Sequence, residues 1–388
     1  MKRLLALVLI SILALTPTAF AANKTPTVKG LKLLTTIGPL VDFGGLVESG
    51  DTLFVFGNKG ESAYLRALGI DGKELWSLSL DDASPSVVTA GTVDSNGLIW
   101  LAGLTSLKRA TPSPTPTVTP LDPDVVVNVP ETFKADLDAF SLWSINPVTR
   151  ELKQQTLQLI SPVLINAIAV DKSGIVAVGS SGMIIRADLA GNFSAPLTIG
   201  KEGTSFESVV RNKDNSLTVV GSSTETLGGK KVVGKVDGII MKIATTNKIT
   251  SIIRSTATGA SRSWNSATSS LLLGGHVKTG AKSQSAVTKF SSTFVPTWTY
   301  RFASTGTTFT SGATFVFIES TGAVDGLKGW APKTVRPLLI NFDSKGAIAG
   351  AFSAPIEEKQ VLGLVSTADF GLLCLTSSAD TVSIFTLN

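Results

Sequence analysis

The sequence predicts an all-β chain made of about seven copies of one four-stranded antiparallel unit, and three observations support this. Short apolar runs ending in or near glycine recur at residues 53–57 (LFVFG), 98–103 (LIWLAG), 175–179 (IVAVG), 217–221 (LTVVG) and 271–275 (LLLGG), with looser copies at 315–319 (FVFIE) and 370–375 (FGLLCL). Their starts lie 45, 77, 42, 54, 44 and 55 residues apart, and the interval of 77 holds an obvious insertion. A repeat of roughly 45 residues is the period of a propeller blade. No stretch beyond the N-terminal leader keeps an apolar helical period for long, while Val, Ile, Thr and Phe dominate the runs. Such side chains suit a pleated, partly buried strand.

Each unit reads as strands a, b, c and d in one order. Strand a enters a tight turn such as 171–174 (DKSG), 94–97 (DSNG) or 213–216 (KDNS), whose residues tolerate unusual backbone angles. The apolar run is strand b. A variable loop leads to an alternating strand c, as in 237–243 (DGIIMKI) or 337–343 (PLLINFD). A second tight turn, as in 69–72 (GIDG) or 343–346 (DSKG), leads to strand d, as in 75–80 (LWSLSL). Radial repetition buries both faces of such sheets, so the expected fold is a seven-bladed β-propeller of four-stranded antiparallel blades.

The ends of the chain fit that ring. The last copy offers strand a at 361–365, b at 370–375 and c at 382–385, with no fourth strand. Residues 31–37 (LKLLTTI) stand where a d strand precedes every other unit. They are expected to close the ring as the outer strand of the last blade, which removes exposed sheet edges. Residues 22–388 are therefore expected to form a single domain with a Pro/Thr-rich insertion at about 107–136. Within it, residues 110–120 (ATPSPTPTVTP) read as extended polyproline-like chain, a spacer or a carrier of O-linked glycans.

The Asp-containing turn, the b strand closing on Gly, the Asp opening strand c and the Gly turn before d together resemble bacterial secreted β-propeller repeat proteins. Residues 237–243 (DGIIMKI) and 138–142 (DAFSL) match best, and 72–76 (GKELW) resembles the turn into d. The resemblance spans nearly all of the chain after the leader. It implies the fold and leaves function open, because propellers host many activities. There is no WD dipeptide of the WD40 type and no S-x-D-x-G-x-T-W box of the sialidase type.

The leader gives an address. Met1, Lys2 and Arg3 precede an apolar stretch over 4–15, and Ala19-Phe20-Ala21 forms an A-x-A cleavage site. Residues 1–21 thus read as a signal peptide cleaved near Ala21, its apolar stretch too short to span a bilayer as a helix, which takes about 20 residues. The expected location is extracellular or cell-wall associated, with no membrane span and a monomeric state. Cleavage removes Lys2 and Arg3 and leaves 32 basic residues against 29 acidic ones. That small excess is consistent either with anionic partners or with ordinary solubility. The single cysteine, Cys374, sits in the apolar run 371–375 and reads as a buried hydrophobe.

In a propeller the b–c and d–a connections share one face. The b–c loops are read as long at about 106–136, 222–236, 276–285 and 320–336, and variable loops on a rigid scaffold are where binding concentrates. The candidate ligand-binding residues follow. Trp330, with Lys333 and Arg336 nearby, would suit a sugar ring with acidic substituents if exposed, or would pin the loop if buried. His276, after strand b of the fifth unit, and Arg262 and Trp264, at the start of its strand a, stand near the mouth of the channel.

The sequence favours an extracellular binding or interaction module recognising a surface glycan, wall polymer or protein. The alternative is a carbohydrate-active enzyme using two carboxylates among Glu202, Glu207, Glu225, Glu319 and Glu357. A lone histidine excludes multi-histidine metal or acid/base sites, and no Walker A, G-x-S-x-G, H-E-x-x-H or EF-hand pattern is present. No cofactor, no metal and no catalytic residue is assigned. The turn aspartates Asp94 and Asp171 are expected to bond their own backbone rather than a cation. Scattered basic residues behind an export leader give no nucleic-acid surface.

Overall fold

The protein is described by a computed structural model over residues 25–81, 84–107 and 136–387. The leader and the Pro/Thr run at 110–120 lie outside the described residues. Strands β1 (Val28–Gly30) and β2 (Lys32–Pro39) come first, and a sheet of β3 (Phe43–Ser49), β4 (Thr52–Lys59), β5 (Ser62–Leu68) and β6 (Glu74–Ser79) follows, paired in chain order. The second sheet is β7 (Ser86–Val93), β8 (Ile99–Thr105), β9 (Ala139–Ile145) and β10 (Leu152–Gln158). The third is β11 (Ile165–Asp171), β12 (Gly174–Gly179), β13 (Met183–Ala187) and the short β14 (Leu197–Thr198). The fourth is β15 (Thr204–Arg211), β16 (Leu217–Ser223), β17 (Asp237–Ile243) and β18 (Ile249–Ser255). All four are antiparallel meanders.

Next come β19 (Ala260–Ala267), β20 (Leu272–Thr279), β21 (Lys282–Phe290) and the long β22 (Pro296–Ser311), then β23 (Phe315–Ser320), β24 (Arg336–Phe342) and β25 (Ile348–Ser353). They form one continuous sheet because β22 serves twice. Residues 296–303 pair with β21, and residues 304–311 pair with β23. The strand turns between these halves around Gly306, whose φ of 118° only glycine adopts readily. We refer to the halves as the fifth and sixth sheets. The last sheet is β26 (Gln360–Ser366), β27 (Leu372–Ser378) and β28 (Thr381–Thr386), with β2 as its outer strand.

The N-terminal strand therefore pairs with the C-terminal one, antiparallel from Lys32 opposite Thr386 to Pro39 opposite Thr381. Just before it, β1 lies parallel along the edge of β25, a strand too short to show any sequence period. First strands touch first strands in the order β3, β7, β11, β15, β19, β22, β26 and again β3. Apolar clusters fill the spaces between successive sheets. Phe54, Phe56, Leu101 and Trp143 join the first to the second. Ile37, Leu53, Leu373 and Ile384 join the last to the first. Burial follows position in the sheet: β8 and β12 are buried throughout, whereas the outer β10 alternates.

The recurring glycine of strand b, which ends β12 but lies inside β4, β8, β16 and β20, has a steric cause. Each first strand from β3 to β19 carries a bulge opposite that glycine, as where Val88 and Ala90 face Gly103 and Ala102. Beside the bulge, a backbone carbonyl in or just before the first strand occupies the place of a side chain. A Cβ on Gly57, Gly103, Gly179, Gly221 or Gly275 would lie 1.7, 1.8, 2.0, 2.0 or 2.1 Å from a carbonyl oxygen, that of Asp42, Val87, Leu164, Ser205 or Ser263 respectively. Only glycine fits.

One expected loop is absent. The stretch 276–285, expected to be a long b–c connection, is continuous strand instead: β20 and β21 run through it and turn at Gly280 and Ala281 alone, with Thr279 opposite Lys282. Gly280, at φ 59°, supplies the backbone angle that a two-residue hairpin needs. His276 accordingly lies inside a strand rather than after one.

Candidate functional site

The connection after β23 carries the first group of candidates. Trp330 is only 7% exposed, packs with Val324 and Leu327 of the same connection, and donates its indole N–H to Ser320 Oγ at 3.0 Å. Arg336 lies over its ring, 5.1 Å from the centroid, and donates through Nη2 to Ser353 Oγ at 3.3 Å and Ala354 O at 2.9 Å. The exposed stacking surface that a sugar would need is therefore absent at Trp330, because the ring is spent on fastening its own connection. Lys333 remains exposed beside it.

The second group lies between the fourth and fifth sheets. Paired residues across the fifth sheet share a face: Arg262 opposite Val277, and Trp264 opposite Gly275, which in turn faces Ala286 and Arg301. That face looks at the fourth sheet, where Trp264 packs with Val220, Ile240 and Phe290, its ring edge-on to Phe290 at 5.9 Å. Trp264 donates to Ser255 Oγ at 3.2 Å. A cavity of about 290 Å³ remains between the sheets, lined by Arg254, Arg262, Trp264, Val277, Phe290 and Arg301 among others. Asp237, fully buried, accepts from Arg254 Nη1 at 3.3 Å and from the backbone N–H groups of Val233 and Gly234 at 3.0 and 2.9 Å. Burial lowers the Arg262 pKa, the nearby Arg301 lowers it further, and Asp237 opposes both.

His276 borders this cleft but shares its face of the sheet with Ser263 and Ser285 rather than with Arg262. Its Nε2 lies 3.0 Å from Ser283 Oγ, and its ring sits where a side chain on Gly306 would be. Burial, and then the charge of Lys278, lower its pKa. Arg254 and Arg301 were not among the sequence candidates. Each is a lone arginine in an outer strand, and only the register brings them to the same cleft as Arg262.

Most of the carboxylates considered for catalysis carry structural bonds. Glu319 is buried, accepts the Val361 N–H at 2.8 Å and bonds the Thr305 hydroxyl. Glu225 takes the Lys201 N–H and the Thr204 hydroxyl, both at 2.7 Å, and Glu207 takes the Ser205 hydroxyl at 2.7 Å. Glu202 and Glu357 are exposed. Asp94 accepts the N–H groups of Asn96 and Leu98 and the Trp100 indole at 2.8, 3.1 and 3.1 Å. Asp171 accepts both the N–H and the hydroxyl of Ser173 and pairs with Arg211 at 3.2 Å. Cys374 is buried, which pushes its thiol pKa up and makes it inert. Among the described residues no group of three or more His, Cys, Asp or Glu is placed to hold a metal ion, and no helix is long and apolar enough to cross a membrane.

No protein-family model matches the sequence, and neither does any curated protein. Among solved structures, the chain is similar to the WD40 β-propeller domain of Doa1, with a TM-score of 0.53 and 10% identity over 93% of this chain and 98% of that one. At that identity the likeness shows the fold, a β-propeller built of repeats.

Proposed function

We infer that the chain is an exported, seven-bladed β-propeller closed by β2, and that it works as an interaction module for a protein partner outside the cell. The cyclic order of first-strand contacts, the pairing of β2 with β28 and the cluster joining the last sheet to the first support the ring. The charged start, apolar stretch and A-x-A site of residues 1–21 support export.

One observation carries the interaction reading. The b–c and d–a connections share an end of the molecule, and that end gathers both long described b–c connections, 224–236 and 321–335, with the exposed side chains of Val41, Leu107, Ile160, Leu164, Val233 and Ile356. The c–d connections at the other end run to five or six residues except for nine in the third sheet, and their exposed large apolar side chains, Ile70, Val148, Leu189 and Val295, come one to a connection. Apolar groups on a polar rim suit a protein surface. Burial of Trp330 weighs against a glycan or wall polymer at this end.

The test is cross-linking of the purified protein to intact producing cells, with capture repeated for Ile160→Asp with Val233→Asp and, as a control, Ile70→Asp with Val148→Asp. The expected result is one saturable protein adduct, lost in the first pair and kept in the second. An adduct lost equally in both, or none at all, overturns the reading.

A further inference from the structure

We propose that the cleft between the fourth and fifth sheets is an oxyanion site, built to receive a carboxylate, phosphate or sulfate group. Three arginines, Arg254 from β18, Arg262 from β19 and Arg301 from β22, line one cavity of about 290 Å³; Arg254 already donates through Nη1 to Asp237 and through Nη2 to Glu225 O, so Arg262 and Arg301 are the two that would meet a ligand. The carboxylate beside them, Asp237, is already satisfied by Arg254 and two backbone N–H groups. Among the described residues no carboxylate lies within ion-pairing distance of Arg262 or Arg301, and the Arg262 Nε is buried without a hydrogen-bond partner. The cleft thus holds two positive charges beyond what its own residues neutralise.

Gathering like charges against apolar walls is unfavourable unless an anion completes them. A guanidinium presents its donors as a planar fork matched to the oxygens of a carboxylate, phosphate or sulfate. The size fits a small anion or the anionic tip of a larger molecule, since cavities for whole drug-sized ligands start near this volume, at about 300 Å³. Trp264 and Phe290, edge-on to each other, form an apolar wall of the cavity. This inference is independent of the loop-bearing end, so either can fail alone.

The experiment is thermal unfolding of the mature protein with sodium sulfate, inorganic phosphate, acetate or glucuronate, each matched in ionic strength by sodium chloride. At least one anion is expected to raise Tm saturably by roughly 2 °C over chloride. The rise should vanish in Arg262→Gln and in Arg301→Gln and persist in Lys333→Gln. Arg301 is exposed, so its replacement spares the fold even if Arg262→Gln proves unstable. Phosphate or sulfate effects without carboxylate effects would identify a free inorganic ion or ester; glucuronate effects would identify an acidic sugar or carboxylated partner. No rise above chloride with any of the four, or a rise surviving in Arg301→Gln, overturns the proposal.

Discussion

At the scale of single residues, the recurring glycines of five b strands do most to shape the molecule. Each yields its side-chain space to a carbonyl in or just before the bulged first strand, so glycine and carbonyl fit together. Gly179→Ala would put a methyl group 2.0 Å from Leu164 O in a strand buried throughout. Either the bulge or the strand must move, and the expected loss is about 3 kcal/mol in chemical denaturation. Gly30→Ala, with no atom within 4 Å of the new carbon, should change stability by less than about 0.5 kcal/mol. Equal losses at the two sites would refute the steric account. The looser copies are informative too: β23 of the sixth sheet has no glycine, and the last sheet has Thr376 where the first five have glycine and places Gly363 in the bulged strand instead. The glycine motif was legible in the sequence, but its reason was not, because a bulge depends on the partner strand. Trp330 shows the converse. Sequence marks an aromatic in a loop, and only packing decides whether it faces solvent.

At the scale of elements, each first strand has one edge with no strand beside it, and neighbouring sheets supply side chains to its backbone. Asn58 of the first sheet accepts the Val88 N–H at 2.8 Å and donates to Val88 O at 3.2 Å. Thr89 donates to Ile165 O at 2.6 Å and Asn166 to Phe206 O at 2.9 Å, so the device passes from the second sheet to the third and on to the fourth. Glu319 plays the same part toward Val361. Asn58→Ala would leave two buried backbone groups of Val88 unpaired and is expected to cost about 2 kcal/mol, with hydrogen exchange at Val88 speeding up more than at Val55. Uniform acceleration at both amides would argue against a local clamp. Strands b and c were readable because they are apolar on both faces. The hairpin at Gly280 was misread because its flanking residues 276–285 are polar, and polar alternation resembles a loop when the partner strand is unknown. Strand β1 was invisible: three residues carry no period.

At the scale of the whole molecule, the order of sheets follows chain order, which is why repeat spacing alone anticipated the architecture. The arginine cleft did not follow, since its members lie in three strands of two sheets and share no spacing. Stability is held in the contacts between sheets, so the molecule is vulnerable where the two chain ends meet. Deleting residues 26–39 removes β1 from β25 and β2 from β28 together. The shortened chain should melt at a lower temperature and scatter light on heating, as two bared edges find partners in other molecules. An unchanged melting curve would mean that the remaining sheets hold without the N-terminal strands.

The pairing of β2 with β28 also imposes an order in time. The ribosome makes β2 before all but one of the described strands and its partner after all of them, so β2 waits through the synthesis of everything between residues 39 and 381. Joining ends so far apart adds little entropy cost, about 0.6 kcal/mol for each doubling of length, but it makes the final sheet a late event. During that wait β2 is an open edge, and exposed Lys29 and Lys32 beside it supply the charge that discourages pairing with strangers. The chain therefore cannot complete that sheet until β28 has arrived, however much of the rest has already folded.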